Sequence, residues 1–251
     1  MNYKASIIGT GKGIPTKLIS NKFVGKKTKK KDSWIYKKSG ITRRFHINPS
    51  KKETASSLSV IAAKKAISSS NIKKDDIGLV VGCTFTPDYR FPGLAVKVHK
   101  DLGLKNSGAF DLSANCTGFQ QGIDIACKTI ILNPDIKFVL VIGCCVQSPL
   151  LDWEKPENCI FYGDGAGAAI VGRVPKNFGL ISSINFCVSS AYDDVRLRGG
   201  GNLFPYSKKK LDTKQFKEFQ YDMDGIETWK YAITYMPSTI LKLLKKNNLK
   251  I

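Results

Sequence analysis

Apolar residues alternate along this chain between two rhythms. Short, nearly continuous apolar runs occupy Ala5–Gly9, Ile77–Thr84, Lys137–Gly143 and Leu180–Val188, the lengths and compositions of β-strands. Between them, apolar positions fall at helical spacing: Leu58, Ile61, Ala62, Lys65 and Ala66 within Thr54–Ser70, and Leu94, Val98 and Leu102 ahead of Gly103. Phe119, Ile123, Ala126, Cys127 and Ile130 mark a further helix, and Ile226, Trp229, Ala232, Ile233, Met236, Ile240 and Leu243 a long one ending near Asn247. Strand, helix and strand succeed one another, which predicts a layered α/β protein with a mixed, largely parallel sheet covered by helices. The run Lys137–Gly143 suits a strand buried on both faces.

The punctuation is less regular. Gly9, Gly11 and Gly13, closed by Pro15, read as a turn; their spacing is wrong for a dinucleotide fingerprint and no helix follows. Pro87 to Pro92 interrupts the pattern, and Asp193 to Phe216 is a glycine- and lysine-rich irregular stretch. The glycines of Gly163–Gly167 lack the lysine–serine pair of a phosphate loop and lead into the strand-like Ala168–Val171, so they are expected to serve backbone packing. No linker is visible. The pattern alone places a boundary near Pro175, dividing the chain into 1–174 and 175–251.

Chemistry concentrates at Gly108–Phe119, where an apolar strand runs into Cys116 and a helix then begins. A cysteine at a helix N-terminus meets free backbone N–H groups and the positive end of the helix dipole, both of which favour the thiolate. Ala114 and Gly118 leave room for a carbonyl to approach the sulfur. The other use of such a residue is packing, since free cysteines are among the most buried residue types.

Asn115–Phe119 resembles the nucleophile turn of the β-ketoacyl-acyl carrier protein synthase III group of the thiolase superfamily. Ser33-Trp34-Ile35, Ser39-Gly40-Ile41 and Arg43 resemble that group's coenzyme A entrance, Phe161–Ala169 its Gly-Asp-Gly-Ala-Gly-Ala strand turn, and Met223-Asp224-Gly225 the start of its second-half helix. The resemblance implies a thiolase-like fold with a complete first half and an incomplete second half. It also implies an acyltransferase in which Cys116 takes an acyl group from coenzyme A as a thioester, for decarboxylative condensation with malonyl-acyl carrier protein in fatty acid or polyketide-type synthesis. Trp34, Lys38 and Arg43 are assigned to coenzyme A, and Phe91 to an acyl tunnel closed across a dimer interface. Coenzyme A enters as a substrate thioester; neither a further cofactor nor a metal is expected.

The resemblance departs from the pattern in three places. Lys38 stands where arginine is common, and Lys155-Pro156 where an arginine often sandwiches adenine; lysine offers a point charge without a stacking plane. The group's catalytic histidine and asparagine would follow Ile251. His46, in a polar loop, and His99, between Lys97 and Lys100, are expected to be solvated surface residues. The chain is therefore expected to be an N-terminal portion limited to the first half-reaction, with an exposed sheet edge and helix face. The alternative is a catalytically silent thiolase-like dimer partner or remnant.

Charge and cysteine content alter this picture little. The net charge is +20, carried mostly by lysines in runs such as Lys26–Lys31 and Lys208–Lys210. Arginine and aromatic residues are not interleaved as nucleic-acid readers require, so an acidic acyl carrier protein and the coenzyme A phosphates are the expected partners, with a homodimer, and not nucleic acid. Seven cysteines without paired spacing suit a reducing compartment. With no apolar leader and no membrane-length run, a cytoplasmic protein without membrane association is expected.

Overall fold

The structure, a computed structural model, describes residues 3–206 and 216–251. Lys208–Lys210 and part of the irregular stretch before Phe216 lie outside the described residues. Two contact units are present, each woven from three segments of chain. The first comprises Met1–Leu18, Arg44–Gln147 and Gly163–Leu180; the second Ile19–Arg43, Ser148–Tyr162 and Ile181–Ile251.

The first unit is a sheet between two helical layers. Its strands are β1 (Tyr3–Gly13), β4 (Ile77–Cys83), β5 (Gly108–Leu112), β6 (Phe138–Cys145) and β7 (Gly165–Pro175), in the order β1-β7-β6-β4-β5. β4 pairs in parallel with both β5 and β6, whereas β7 runs antiparallel to β6 and β1, so the sheet is mixed as expected. On one face, α3 (Ala55–Ser70) and α4 (Leu94–Leu102) bury Leu58, Ala62, Ala66, Leu94 and Val98 against Leu140, Ile142 and Ile170. On the other, α5 (Gly118–Leu132) buries Ala126, Cys127 and Ile130 against Val81, Val139, Val141 and Val171. Covered on both faces, β6 has no exposed residue, which explains its unbroken apolar run.

Three expectations fail here. The Gly9–Gly13 turn is strand: β1 continues through it, and Gly9, Gly11 and Gly13 point every second side-chain position at α3. A Cβ on Gly9 would lie 2.6 Å from the Ala66 carbonyl oxygen, and the other two would strike the carbonyls of Ala62 and Leu58. The period-two glycines thus match the helical repeat of 58, 62 and 66, letting backbone meet backbone. On α3 itself, Ile61 is 43% exposed and Lys65 exposed, because the buried face is that of Ala55, Leu58, Ser59, Ala62, Ala63 and Ala66, turned away from them. Leu180–Val188 forms no strand: beyond the bond from the Leu180 N–H to the Ala5 carbonyl, no strand among the described residues lies beside it.

In the second unit, α1 (Asn21–Thr28) and α2 (Asp32–Ser39) are joined by a tight turn. Asn21, 2% exposed, ties the turn to its exit by donating to Asp32 Oδ1 at 3.0 Å and the Ile41 carbonyl at 2.8 Å. Val24, Ile35, Leu151, Cys159 and Ile160 form its core with α6 (Pro156–Cys159), and Trp34, Trp153 and Tyr162 pack against it. Two short strands, β8 (Val195–Arg196) and β9 (Asp222–Met223), pair antiparallel ahead of α7 (Gly225–Lys246). Asp224 caps α7 by accepting from the Ile226 and Glu227 N–H groups. None of its side chains is buried, and Ile226, Trp229, Ile233, Met236 and Ile240 form an exposed apolar stripe. Among the described residues no helix is long and apolar enough to cross a membrane.

Candidate active site

Cys116 lies where the sequence places it, in a single 3-10 turn, Asn115–Thr117, between the end of β5 and the first residue of α5. Asn115 adopts a left-handed φ of 45°, a conformation asparagine tolerates better than most residues, and this sharp reversal leaves the thiol exposed. The turn is tied down by Thr117, whose N–H and hydroxyl both donate to the Ala114 carbonyl, and Gln121 Nε2 donates to the Thr117 hydroxyl. Glycines set the depth at which α5 sits. A Cβ on Gly122 would lie 2.7 Å from Cys83 Sγ and 2.8 Å from Val141, while one on Gly118 would lie 3.4 Å from the Cys83 Cβ and 3.8 Å from the Leu112 carbonyl oxygen.

The parallel strands all end at this edge of the sheet, where α/β proteins commonly bind ligands. Cys83 ends β4, Leu112 ends β5 and Cys145 ends β6, and Cys145 pairs with Gly165 at the start of β7. A hydrogen-bond net fixes the rim. Asp164, buried, accepts from the Ile47 N–H at 2.7 Å and the Gln147 N–H at 2.8 Å, while Thr86 Oγ1 accepts from the Val146 N–H at 2.9 Å. Asp111, in β5, accepts from the Leu94 and Ala95 N–H groups at 2.6 and 2.7 Å, so it caps α4 across the sheet. Gly82 and Gly93 make room for that carboxylate.

The remaining cysteines differ from Cys116 in surroundings. Burial pushes the Cys83 thiol up to about 12, helped by Asp111, and the Cys127 thiol up to about 11, helped by Asp124. Burial likewise raises Cys144 to about 12, against a hydrogen bond with Ser59. Cys145 is raised to about 11 by burial, against a hydrogen bond with Thr86, with the nearby Asp164 adding to the rise. Cys159 is buried too, and only Cys116 and Cys187 are exposed. Cys187 lies outside any helix or strand, so Cys116 alone combines exposure with a helix N-terminus.

The other residues singled out from sequence are dispersed. Phe91, in the first unit, is 86% exposed in the loop between β4 and α4. Trp34, Lys38 and Arg43 belong to the second unit: Trp34 is half-buried with the Lys30 ammonium 5.1 Å from its ring centroid, and Lys38 and Arg43 are exposed. Lys155 is held by Asp222 at 3.0 Å. Neither histidine is a solvated surface residue. His46 alternates inward at the end of β3 (Arg43–His46) and is 5% exposed. His99 Nε2 is buried without a partner near the end of α4, away from the strand ends that carry Cys116. Of the Gly163–Gly167 glycines, a Cβ on Gly163 would lie 3.2 Å from the Phe45 carbonyl oxygen, one on Gly165 would make ordinary contact with the Gly13 carbonyl oxygen, and one on Gly167 would meet nothing. Asp164 is the structural residue of that turn. Its part, and those of Asp111, Thr86 and Cys145, escaped the sequence reading; the one signal was a charged residue inside an apolar run, as in Ala109-Phe110-Asp111-Leu112.

A family model described as 3-Oxoacyl-[acyl-carrier-protein (ACP)] synthase III matches residues 110–187, which include Cys116, Cys145 and Asp164. The Beta-ketoacyl-[acyl-carrier-protein] synthase III of Caldanaerobacter subterraneus subsp. tengcongensis is 33% identical over 242 residues, covering 96% of this chain and 71% of that protein. This chain belongs to the β-ketoacyl-acyl carrier protein synthase III family. The enzyme of the same name from Natranaerobius thermophilus is 37% identical over 246 residues, covering 96% of this chain and 73% of its own length. The crystal structure of 3-oxoacyl-[acyl-carrier-protein] synthase III from Aquifex aeolicus VF5 superposes with a TM-score of 0.84 at 30% identity, over 98% of this chain and 73% of that one. The fold is thus the thiolase-like α/β fold of the synthase III family. The chain spans 71–73% of the length of these relatives. They lend no support to a catalytically silent role or to a lost catalytic block.

Proposed function

We propose that Cys116 is the acyl acceptor of a synthase III-type condensing enzyme. The observation that carries this reading is the pairing of exposure with a helix N-terminus at Cys116, set among neighbouring thiols that burial keeps protonated. In the first step the Cys116 thiolate attacks the carbonyl of an acyl-coenzyme A; a new thioester forms on Sγ and the coenzyme A thiolate leaves and takes up a proton. In the second, a malonyl unit on acyl carrier protein loses carbon dioxide and its α-carbon attacks the acyl-Cys116 carbonyl. A carbon–carbon bond forms, and Cys116 departs as thiolate. Fatty acid or polyketide-type priming is the corresponding role, in the cytoplasm.

Trp34, Lys38 and Arg43 are proposed to meet the coenzyme A moiety, with the lysine supplying charge but no stacking plane. Phe91 is proposed to reach a second copy of the chain in a homodimer; its exposure and the outer edge of β5, unpaired among the described residues, where Phe110 is 41% exposed, favour that assembly. The chain's charge of +20 suits an acidic carrier protein. The test is incubation of the purified protein with acetyl- or longer acyl-coenzyme A and malonyl-acyl carrier protein, followed by mass analysis of the carrier. A β-ketoacyl carrier formed by the native protein and lost in Cys116→Ala supports the reading; equal product from both refutes it.

A further inference from the structure

We infer that Cys145 is a resolving thiol for Cys116, so that a hydroperoxide converts the pair reversibly into a disulfide. The packing register of α5 on β6 carries the inference. Phe119 of α5 lies on Gly143, where an added Cβ would come within 3.0 Å of its ring. Three residues later Gly122 lies on Val141, its own Cβ position 2.8 Å from that side chain. Three helix residues therefore match two strand residues running the opposite way, about 5 Å of helix against about 7 Å of strand. One turn before Phe119, the same register sets Cys116 over Cys145. Alternation along β6 agrees: Cys144 donates to the Ala55 carbonyl and belongs to the core beneath α3, so Cys145 faces α5. Cys145 is the last residue of β6 and only half-buried, and the two thiol groups interact electrostatically.

The other thiols of the first unit are turned elsewhere. Cys83 is buried with its sulfur aimed at Gly122, deeper along α5, and Cys127 lies further still along that helix, donating to the Ala5 carbonyl. Exposure at a helix N-terminus makes Cys116 the first to react. Its thiolate attacks one oxygen of the hydroperoxide: an S–O bond forms, the O–O bond breaks, and the departing oxygen takes up a proton. The sulfur is thereby oxidised to a sulfenic acid and the peroxide reduced. The Cys145 sulfur then attacks the Cys116 sulfur; the S–S bond forms, the S–O bond breaks, and the hydroxyl leaves with the Cys145 proton as water. A disulfide needs Cα atoms about 4.4–6.8 Å apart, and the exposed Asn115–Thr117 turn is the member that adjusts to close it. Bridged to Cys145, the Cys116 sulfur is shielded from irreversible oxidation until a dithiol reduces it. The consequence for acyl transfer rests on the role proposed above for Cys116.

The test is peptide mapping of the full chain without reductant after brief exposure to hydrogen peroxide, with dimedone as the trap for sulfenic acid. The native protein should lose two of its seven thiols, yield a peptide pair joined through Cys116 and Cys145, and recover both thiols with dithiothreitol. In Cys145→Ser and Cys145→Ala the sulfenic acid has no partner, so dimedone labelling of Cys116 should rise at least ~5-fold, and longer exposure should leave Cys116 as a sulfinic acid that dithiothreitol cannot reverse. Thermal melts matching the native protein's check that the variants fold, and the map of the native protein needs neither of them. A bond from Cys116 to Cys83, to Cys187 or to a second copy of the chain overturns the inference. So does the survival of all seven thiols, or equal dimedone labelling in the native protein and the folded variants. The map does not depend on acyl transfer: reduced protein that takes no acetyl group on Cys116 would refute the proposed function and leave the disulfide expectation standing, and a missing disulfide would leave the acetyl expectation standing.

Discussion

At the scale of single residues, neighbours decide what each cysteine can do. Four thiols sit where burial raises them to between about 11 and 12, so at neutral pH they are almost wholly protonated and poor nucleophiles. Limited alkylation with iodoacetamide at pH 7.5 should therefore mark Cys116 and Cys187 first and leave Cys83, Cys127, Cys144 and Cys145 unmodified, as peptide mapping would reveal. Early modification of Cys145 would contradict the account of its surroundings. Asp111 makes a second residue-level case: its carboxylate serves two N–H groups at the start of α4, and Asp111→Ala should cost about 1–2 kcal/mol, measured by urea unfolding. Cys116 was legible in the sequence because strand, cysteine and helix are consecutive there. Asp111 was not, because its partners lie 16 and 17 positions away and no local pattern announces a cap delivered from a neighbouring strand.

Elements were legible wherever periodicity and burial coincide. The bounds of α3, α4, α5 and β6 follow the apolar pattern to within a residue or two, since each helix buries a stripe against one face of the sheet and β6 is covered on both. The errors share one cause: the element's character depends on what lies beside it. Gly9–Gly13 reads locally as a turn yet is strand, because α3 approaches too closely for any Cβ. Leu180–Val188 has strand composition without a described strand to pair with. Glycines at such contacts are testable. In Gly122→Ala, the new methyl would lie 2.7 Å from Cys83 Sγ and 2.8 Å from Val141, lifting the first turns of α5 and with them Cys116. A stability loss of about 1–3 kcal/mol is expected, together with slower acylation of Cys116; unchanged stability would show that the helix has more clearance than its packing indicates.

For the whole molecule, the buried thiols give a pH dependence of definite sign. Each has a folded value raised above the ordinary 9.0, so in the folded state it keeps its proton where the unfolded chain loses it. Their contribution is full below about pH 9 and is lost as pH rises through 11 to 12. Unfolding midpoints should fall progressively above pH 9, and Cys144→Ala should lower stability at pH 7 while flattening that decline. The layered architecture and the family were legible from pattern and motif. How the two contact units interleave three segments each was not, because only long-range contacts define them. The central claim remains that this fold makes one cysteine of seven an acyl acceptor. Its most direct test is to incubate the protein with acetyl-coenzyme A, trap it with acid, and locate the added acetyl group by peptide mass. One acetyl group on Cys116, absent from Cys116→Ala, is the expected result; label spread over several cysteines, or undiminished in Cys116→Ala, would contradict the account.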